Sequence, residues 1–398
     1  MSDKTVKYLL VTAVLALAVS LGVGVRQLVL IKRLEKIEGE ISEKVDRIHH
    51  LAENNELYRR MRNVKPGQRH ILHPAQETYS PGQDTLEFFQ QRLRTNIRRW
   101  MGLDEDLMGK NVVRCSLGKE TIDSAAVVRE KVEFYFEGNE SNWSLSGYFL
   151  YPAGASTPLP AVLCLNGHAG TARAVCGIDE DYTNGYGLAL AAAGFAVLSF
   201  DWCFEGESRL AGGESVTGHK HDRFNYETSP GRSGLGLYME NALCAFKALA
   251  DDPLTDTLRL GVTGISRGGE LATYFAALFA PRLAACYASG AGFPFTYRRF
   301  GGVGGGCECT YVEKIFDAYE YTDLLVAAAP LPFKLQLGMR DEIWGYWDNI
   351  EDIMLKTGKL YADLGIPEYF GLDIHHREHV YGVEQGVAFF KGELKNIR

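Results

Sequence analysis

From about residue 128 onward, short apolar runs alternate with stretches of helical periodicity, and few architectures accept that rhythm. "AVLCLNG", "FAVLSFD", "RLGVTGI", "LAACYASG", "FKLQLGM" and "YFGLDIH" are runs rich in β-forming residues, too continuous in their hydrophobicity for strands with one wet face. Helical stretches at roughly 183–194, 234–251, 268–280, 346–364 and 382–395 separate most of them. Strands buried on both faces and joined through helices predict a mostly parallel sheet with helices on both faces, an α/β class. "EKVEFYFEG" and "WSLSGYFLYP" read as an antiparallel pair that opens the sheet. Ligands of such sheets lie at the carboxyl ends of the strands, so the residues that follow each run are the candidates for chemistry.

The amino-terminal part obeys other rules. Residues 8–25, "YLLVTAVLALAVSLGVGV", carry no charge, and "LVLI" follows after Arg26 and Gln27. That length approaches the roughly 20 residues that cross a bilayer. The expectation is a membrane anchor over 1–31, on a single-pass transmembrane helix, with a cleaved signal peptide and a secreted or periplasmic product as the alternative. Leu34, Ile37, Ile41, Ile48 and Leu51 then keep a heptad-like spacing, which predicts a helical stalk over 32–63 and a homo-oligomer through it. Residues 64–127 read as a linker and a helical lead-in. In that lead-in Asp84 and Glu87 form a capping box, and Phe88, Phe89, Leu93, Ile97, Trp100 and Met101 share a face that covers the core. The catalytic domain is expected over 128–398.

Composition removes other classes. A net charge of −8 with no basic stripe argues against nucleic-acid binding. Eight scattered cysteines in a long chain do not form a disulfide framework. The Cys307/Cys309 pair lacks a second ligand pair at zinc spacing, and "FGGVGGGCEC" lacks the Lys-Ser/Thr of a phosphate loop. No metal and no cofactor is expected.

Ser266 stands in "RLGVTGISRGGELATYFAALFA", between a strand and a good helix, flanked by Gly264 and Gly268. This is the context in which a nucleophilic serine sits on a tight turn, its glycines letting strand and helix approach. The plain alternative is a serine N-cap. A nucleophile needs a base and a group to orient it. Three histidines, His375, His376 and His379, lie between the last strand and the last helix. His379 is in the loop proper and is chosen as base, with the other two as alternatives. Asp341, directly after "FKLQLGM", is the acid, and the order Ser266, Asp341, His379 is the one this topology requires. The small-residue loop "NGHAG" and the residue after the serine supply oxyanion donors, the backbone amides of His168 and Arg267.

With these residues in view, the stretch from about 85 to 395 resembles the α/β-hydrolase superfamily, in its acetyl xylan esterase-like and dienelactone hydrolase-like branch. The matching segments are "PLPAVLCLNGHAG", "FAVLSFDWCFEGES", "GISRGG", "YTDLLVAAAPLPFKLQLGMRDEIW" and "REHVYGVEQGVAFFKGEL". The last is similar to the branch's Gly-His-x-Phe ending and favours His379, with Glu378 and Tyr381 in place of glycine and phenylalanine. Asn166 replaces a more usual histidine, and Glu205 stands where glycine is commoner. The resemblance implies a serine hydrolase for a small-molecule carboxylic ester, with acetyl esters of carbohydrates as a candidate class. A substrate pocket that includes Gly167, Trp202 and Glu205 is expected, with the segments 203–230 and 291–322 forming the lid and pocket. Peptidase or thioesterase chemistry on the same scaffold, and a tethered binding protein without catalysis, are the rivals.

Overall fold

A computed structural model describes residues 77–83, 85–138, 143–210, 233–293, 295, 310, 312–341 and 348–395. All of them fall in one of the two compact units into which the chain divides, Tyr58–Arg398. The anchor and stalk readings, most of the 203–230 segment and half of the 291–322 segment lie outside the described residues. Among the described residues no helix is long and apolar enough to cross a membrane.

The strands are β1 (Val112–Ile122), β2 (Val127–Phe136), β3 (Trp143–Pro152), β4 (Leu159–Leu165), β5 (Ala196–Phe200), β6 (Arg209–Leu210), β7 (Thr255–Ile265), β8 (Ala285–Ser289), β9 (Phe333–Gly338) and β10 (Phe370–His375). They form one sheet in the order β1-β2-β3-β5-β4-β7-β8-β9-β10, with the short β6 paired to β3. The β1–β2, β2–β3 and β3–β5 pairs are antiparallel, and every pair from β5 to β10 is parallel. Every strand expected from the continuous apolar runs is present. β1 was not anticipated. It is an edge strand whose residues are largely exposed, and Arg114, Lys119 and Glu120 hide its period.

Two apolar layers cover the sheet. One face carries α1 (Leu86–Met101), α4 (Gly234–Ala250), α5 (Arg267–Phe279) and α7 (Tyr321–Ala328), joined in one core with Leu163, Val262 and Leu335 of the strands. The other carries α2 (Ala172–Val175), α3 (Tyr186–Ala192) and α10 (Val383–Lys395) over Val162, Val197 and Tyr287. The remaining helices are α6 (Glu313–Ala318), α8 (Asp348–Ile353) and α9 (Lys359–Asp363), the last two joined by a π-helical turn over Met354–Gly358.

The lead-in helix α1 packs on the core as expected, burying Phe89, Leu93, Ile97 and Met101. Its details differ from the capping-box reading. The N-cap is Thr85, whose hydroxyl accepts from the Phe88 amide at 3.2 Å, and Phe88 itself points outward, 57% exposed.

The strand order fixes where a ligand can bind. From β4 the chain crosses to β5 on one side; from β7 it crosses to β8 on the other. β4 and β7 are neighbours, so their connections diverge and leave a crevice at their carboxyl ends. The loop with His168 leaves β4 there, and Ser266 leaves β7.

Candidate active site

Ser266 occupies the turn between β7 and α5 with φ +61° and ψ −126°, a conformation that side-chain-bearing residues rarely adopt. It stands at the N-cap position of α5, yet its side chain makes no capping hydrogen bond there. The turn is held from outside: the Ser266 amide donates to the Ser289 carbonyl at 2.9 Å, and the Ser266 carbonyl accepts from the Glu270 amide at 2.9 Å. The flanking glycines are there for space. A Cβ on Gly268 would come within 2.1 Å of the Leu165 carbonyl oxygen, and one on Gly264 within 2.4 Å of the Gly268 backbone.

Two further loops meet this turn. The segment after β9 places Asp341, buried, and the segment after β10 places His379; His379 Nδ1 lies 2.6 Å from Asp341 Oδ2. Backbone bonds hold these two loops together, Met339 N to His375 O at 2.7 Å and Arg340 N to Arg377 O at 3.1 Å. His379 Nε2 is buried and has no hydrogen-bond partner among the described residues. The imidazole reaches the serine turn: a Cβ on Gly290 would lie 2.8 Å from His379 Cε1 and 3.5 Å from the Ser266 nitrogen.

The other two histidines of the cluster have other surroundings. His375 Nδ1 accepts from the Arg377 amide at 3.1 Å, so its proton is on Nε2, which donates to the Val380 carbonyl at 3.2 Å. Burial, above all, pushes its pKa below the usual histidine range. His376 is exposed. His375 therefore shapes the loop that presents His379.

On the β4 side, Arg267 has its side chain fully buried and forms two 2.6 Å bonds to the Glu205 carboxylate. Its Nη1 also donates to the Tyr238 hydroxyl at 3.0 Å, and Nη2 to the Gly167 carbonyl at 3.2 Å. Burial alone would raise the Glu205 pKa, but Arg267 outweighs it and holds the carboxyl below its ordinary value. A trans peptide points its N–H opposite to its C=O. Anchoring the Gly167 carbonyl on Arg267 therefore fixes the direction of the His168 amide. The Arg267 amide, at the first position of α5, belongs to the helix end where backbone donors lack intrahelical acceptors.

Asp201, at the end of β5, links the neighbouring loops. Its carboxylate accepts from the Ala172 amide at 2.8 Å and the Glu207 amide at 2.7 Å, and burial pushes its pKa up to about 6. Asn166 donates to the Phe200 carbonyl at 3.2 Å.

The pocket expectation needs correction at one position. Trp202 is fully buried, with its indole against Phe200 and Tyr238 and the Arg267 guanidinium over its ring, so it supports the arginine and is no wall of a cleft. Glu205 pairs with Arg267 while its side chain stays partly exposed. Gly167 does adjoin the serine: a Cβ there would sit 3.0 Å from Ser266 Cβ. Sequence reasoning missed Tyr182, Asp201 and Tyr238, whose partners are distant in the chain. Among the described residues no cluster of His, Cys, Asp or Glu is disposed to hold a metal ion.

No protein-family model matches the chain, and no curated protein matches it in sequence. Solved structures do resemble it. One is a Bacteroides fragilis protein assigned as an acetyl xylan esterase, with TM-score 0.57 and 17% identity, covering 81% of each chain. Another is a glucuronoyl esterase of carbohydrate esterase family 15 from Teredinibacter turnerae, with TM-score 0.58 and 15% identity, covering 81% of this chain and 89% of that one. A family 15 glucuronoyl esterase from Caldicellulosiruptor kristjansonii gives TM-score 0.53 and 17% identity, with coverage of 82% and 92%. At these identities the likeness establishes the α/β-hydrolase fold.

Proposed function

We propose that this protein is a carboxylic ester hydrolase that works through Ser266, His379 and Asp341, with carbohydrate esters as its substrate class. The observation that carries the reading is the 2.6 Å contact between His379 Nδ1 and Asp341 Oδ2, with Nε2 unengaged beside the serine turn. A carboxylate on Nδ1 keeps the proton there and leaves a lone pair on Nε2. Nε2 takes the Ser266 proton as Oγ attacks the ester carbonyl, and the carbonyl π electrons move to oxygen. The amides of His168 and Arg267 receive that oxyanion. The tetrahedral intermediate collapses, Nε2–H protonates the leaving alcohol, and an acyl-serine remains. Water, deprotonated by the same nitrogen, releases the acid and restores the serine.

The carbohydrate ester class rests on the fold neighbours, whose own descriptions name acetyl xylan and glucuronoyl esters. The sequence reading of residues 8–25 as an anchor, or as a cleaved signal, belongs to the same proposal; a cleaved signal would place the enzyme outside the cytoplasm.

One preparation assayed on p-nitrophenyl acetate, an acetylated xylo-oligosaccharide, an acyl-CoA thioester and a peptide anilide tests this reading. The expected order puts both oxygen esters far above the thioester and the anilide. Faster cleavage of the thioester or the anilide overturns it.

A further inference from the structure

Between α2 and α3, a polar loop carries Tyr182 into the site. Its ring stacks on the His379 imidazole, with centroids 5.9 Å apart and planes 27° apart. Its backbone carbonyl accepts from the Tyr381 amide at 3.0 Å, and Asn184 Nδ2 donates to the Tyr381 carbonyl at 3.2 Å, so the two loops are fastened together at Tyr381, two residues after His379. The Tyr182 hydroxyl turns the other way and donates to the His168 carbonyl at 2.5 Å. That oxygen fills the inside of the loop after β4: a Cβ would come within 2.4 Å of it on Gly167 and 3.1 Å on Gly170.

The loop it fills needs holding. Ala169 has φ +56°, a left-handed conformation that an alanine adopts only when its surroundings impose it. Arg267 anchors the Gly167 carbonyl and Tyr182 the His168 carbonyl, so two successive peptide planes are fixed. Both amides on the far side of those planes, His168 and Ala169, then point in set directions.

We propose that Tyr182 is a positioning residue that ties the base to the oxyanion loop: its ring sets the plane of His379, and its hydroxyl sets the peptide after His168. This inference rests on the hydrolase reading for its catalytic meaning, while the positioning itself can be read without turnover. One aromatic residue keeps the general base and the oxyanion donors in register, so a shift in either loop moves both. Misplacement by about 1 Å is enough to cost on the order of a hundredfold in rate.

The test uses the full chain carrying Tyr182→Phe or Tyr182→Leu, beside wild type and Ser266→Ala. Phenylalanine keeps the ring and removes the hydroxyl; kcat on p-nitrophenyl acetate should fall about tenfold with KM within about twofold. Leucine removes both functions, and kcat should fall about a hundredfold. Proton NMR follows the downfield Nδ1 proton of His379, which should stay sharp in wild type, Ser266→Ala and Tyr182→Phe and broaden in Tyr182→Leu. A wild-type kcat in Tyr182→Phe overturns the role of the hydroxyl. An unchanged downfield proton in Tyr182→Leu overturns the role of the ring. If Tyr182→Leu does not fold, Tyr182→Met takes its place in the NMR comparison for the ring, and the kcat-against-KM split in the near-isosteric Tyr182→Phe decides the role of the hydroxyl. Full activity in Ser266→Ala would instead defeat the hydrolase reading, and the NMR comparison would still decide the positioning claim.

Discussion

Arg267, the residue directly after Ser266, grips Glu205 through both terminal guanidinium nitrogens at 2.6 Å. The pair reaches the site through the backbone, because the same guanidinium holds the Gly167 carbonyl whose peptide carries the His168 amide. Glu205→Ala leaves a buried cation without its partner and should cost about 3 kcal/mol in a denaturant titration. Replacing both members with apolar residues, as in Glu205→Leu with Arg267→Met, should cost less than the two single changes added together. A strictly additive pair of single changes would show that the two side chains act separately.

Asp341→Asn should leave the fold intact and remove most of the activity. An amide in place of the carboxylate no longer enforces the proton on His379 Nδ1. The expected loss in kcat is about 10³- to 10⁴-fold, with little change in KM, read on p-nitrophenyl acetate.

His375 should give the protein an acid limb of stability. Its neutral form accepts from Arg377 N and donates to Val380 O, and burial lowers its pKa in the fold. A lowered folded pKa means the unfolded chain binds the proton more readily. The contribution is therefore complete above the unfolded value of about 6.5 and is lost as pH falls through the lower folded value. Gln offers an N–H donor and a carbonyl acceptor without titrating. Tm measured from pH 8 down to pH 5 should fall less steeply in His375→Gln than in wild type, with the two similar at pH 8.

Gly268→Ala should not yield active protein. The added methyl meets the Leu165 carbonyl at 2.1 Å, backbone that cannot move without shifting β4. The expected outcome is loss of soluble protein, or folded protein with kcat below a hundredth of wild type. Normal yield together with normal kcat would contradict the packing of the serine turn.

What the sequence disclosed, and what it hid, follows from burial and from distance along the chain. The strands from β4 onward are covered on both faces, so each is a continuous apolar run that announces itself. β1 sits at the sheet edge in contact with solvent, and its mixed polar composition erased the signal. Within the helical stretch 346–364, the π turn over Met354–Gly358 has no counterpart in the apolar period. The local meaning of Ser266 was legible because strand, turn and helix are contiguous there. The preference for His379 over His375 drew on its place in a loop and on the resemblance, and the contact of His379 Nδ1 with Asp341 could not be read from either. The place of Trp202 was misread because a residue just after a strand can still turn its indole inward, here against Tyr238 of α4. Tyr182 gave no signal at all: it meets His168 and His379 only through the folded sheet, and nothing in "DEDYTNGYG" marks it.

The central claim is that Ser266 becomes a nucleophile when His379 removes its proton. Labelling with a fluorophosphonate, followed by mass mapping of the modified peptide, addresses it most directly. Wild type should take up one phosphonyl group on Ser266, and Ser266→Ala should take up none. An unlabelled wild type, or equal labelling of the alanine variant at another residue, would contradict it.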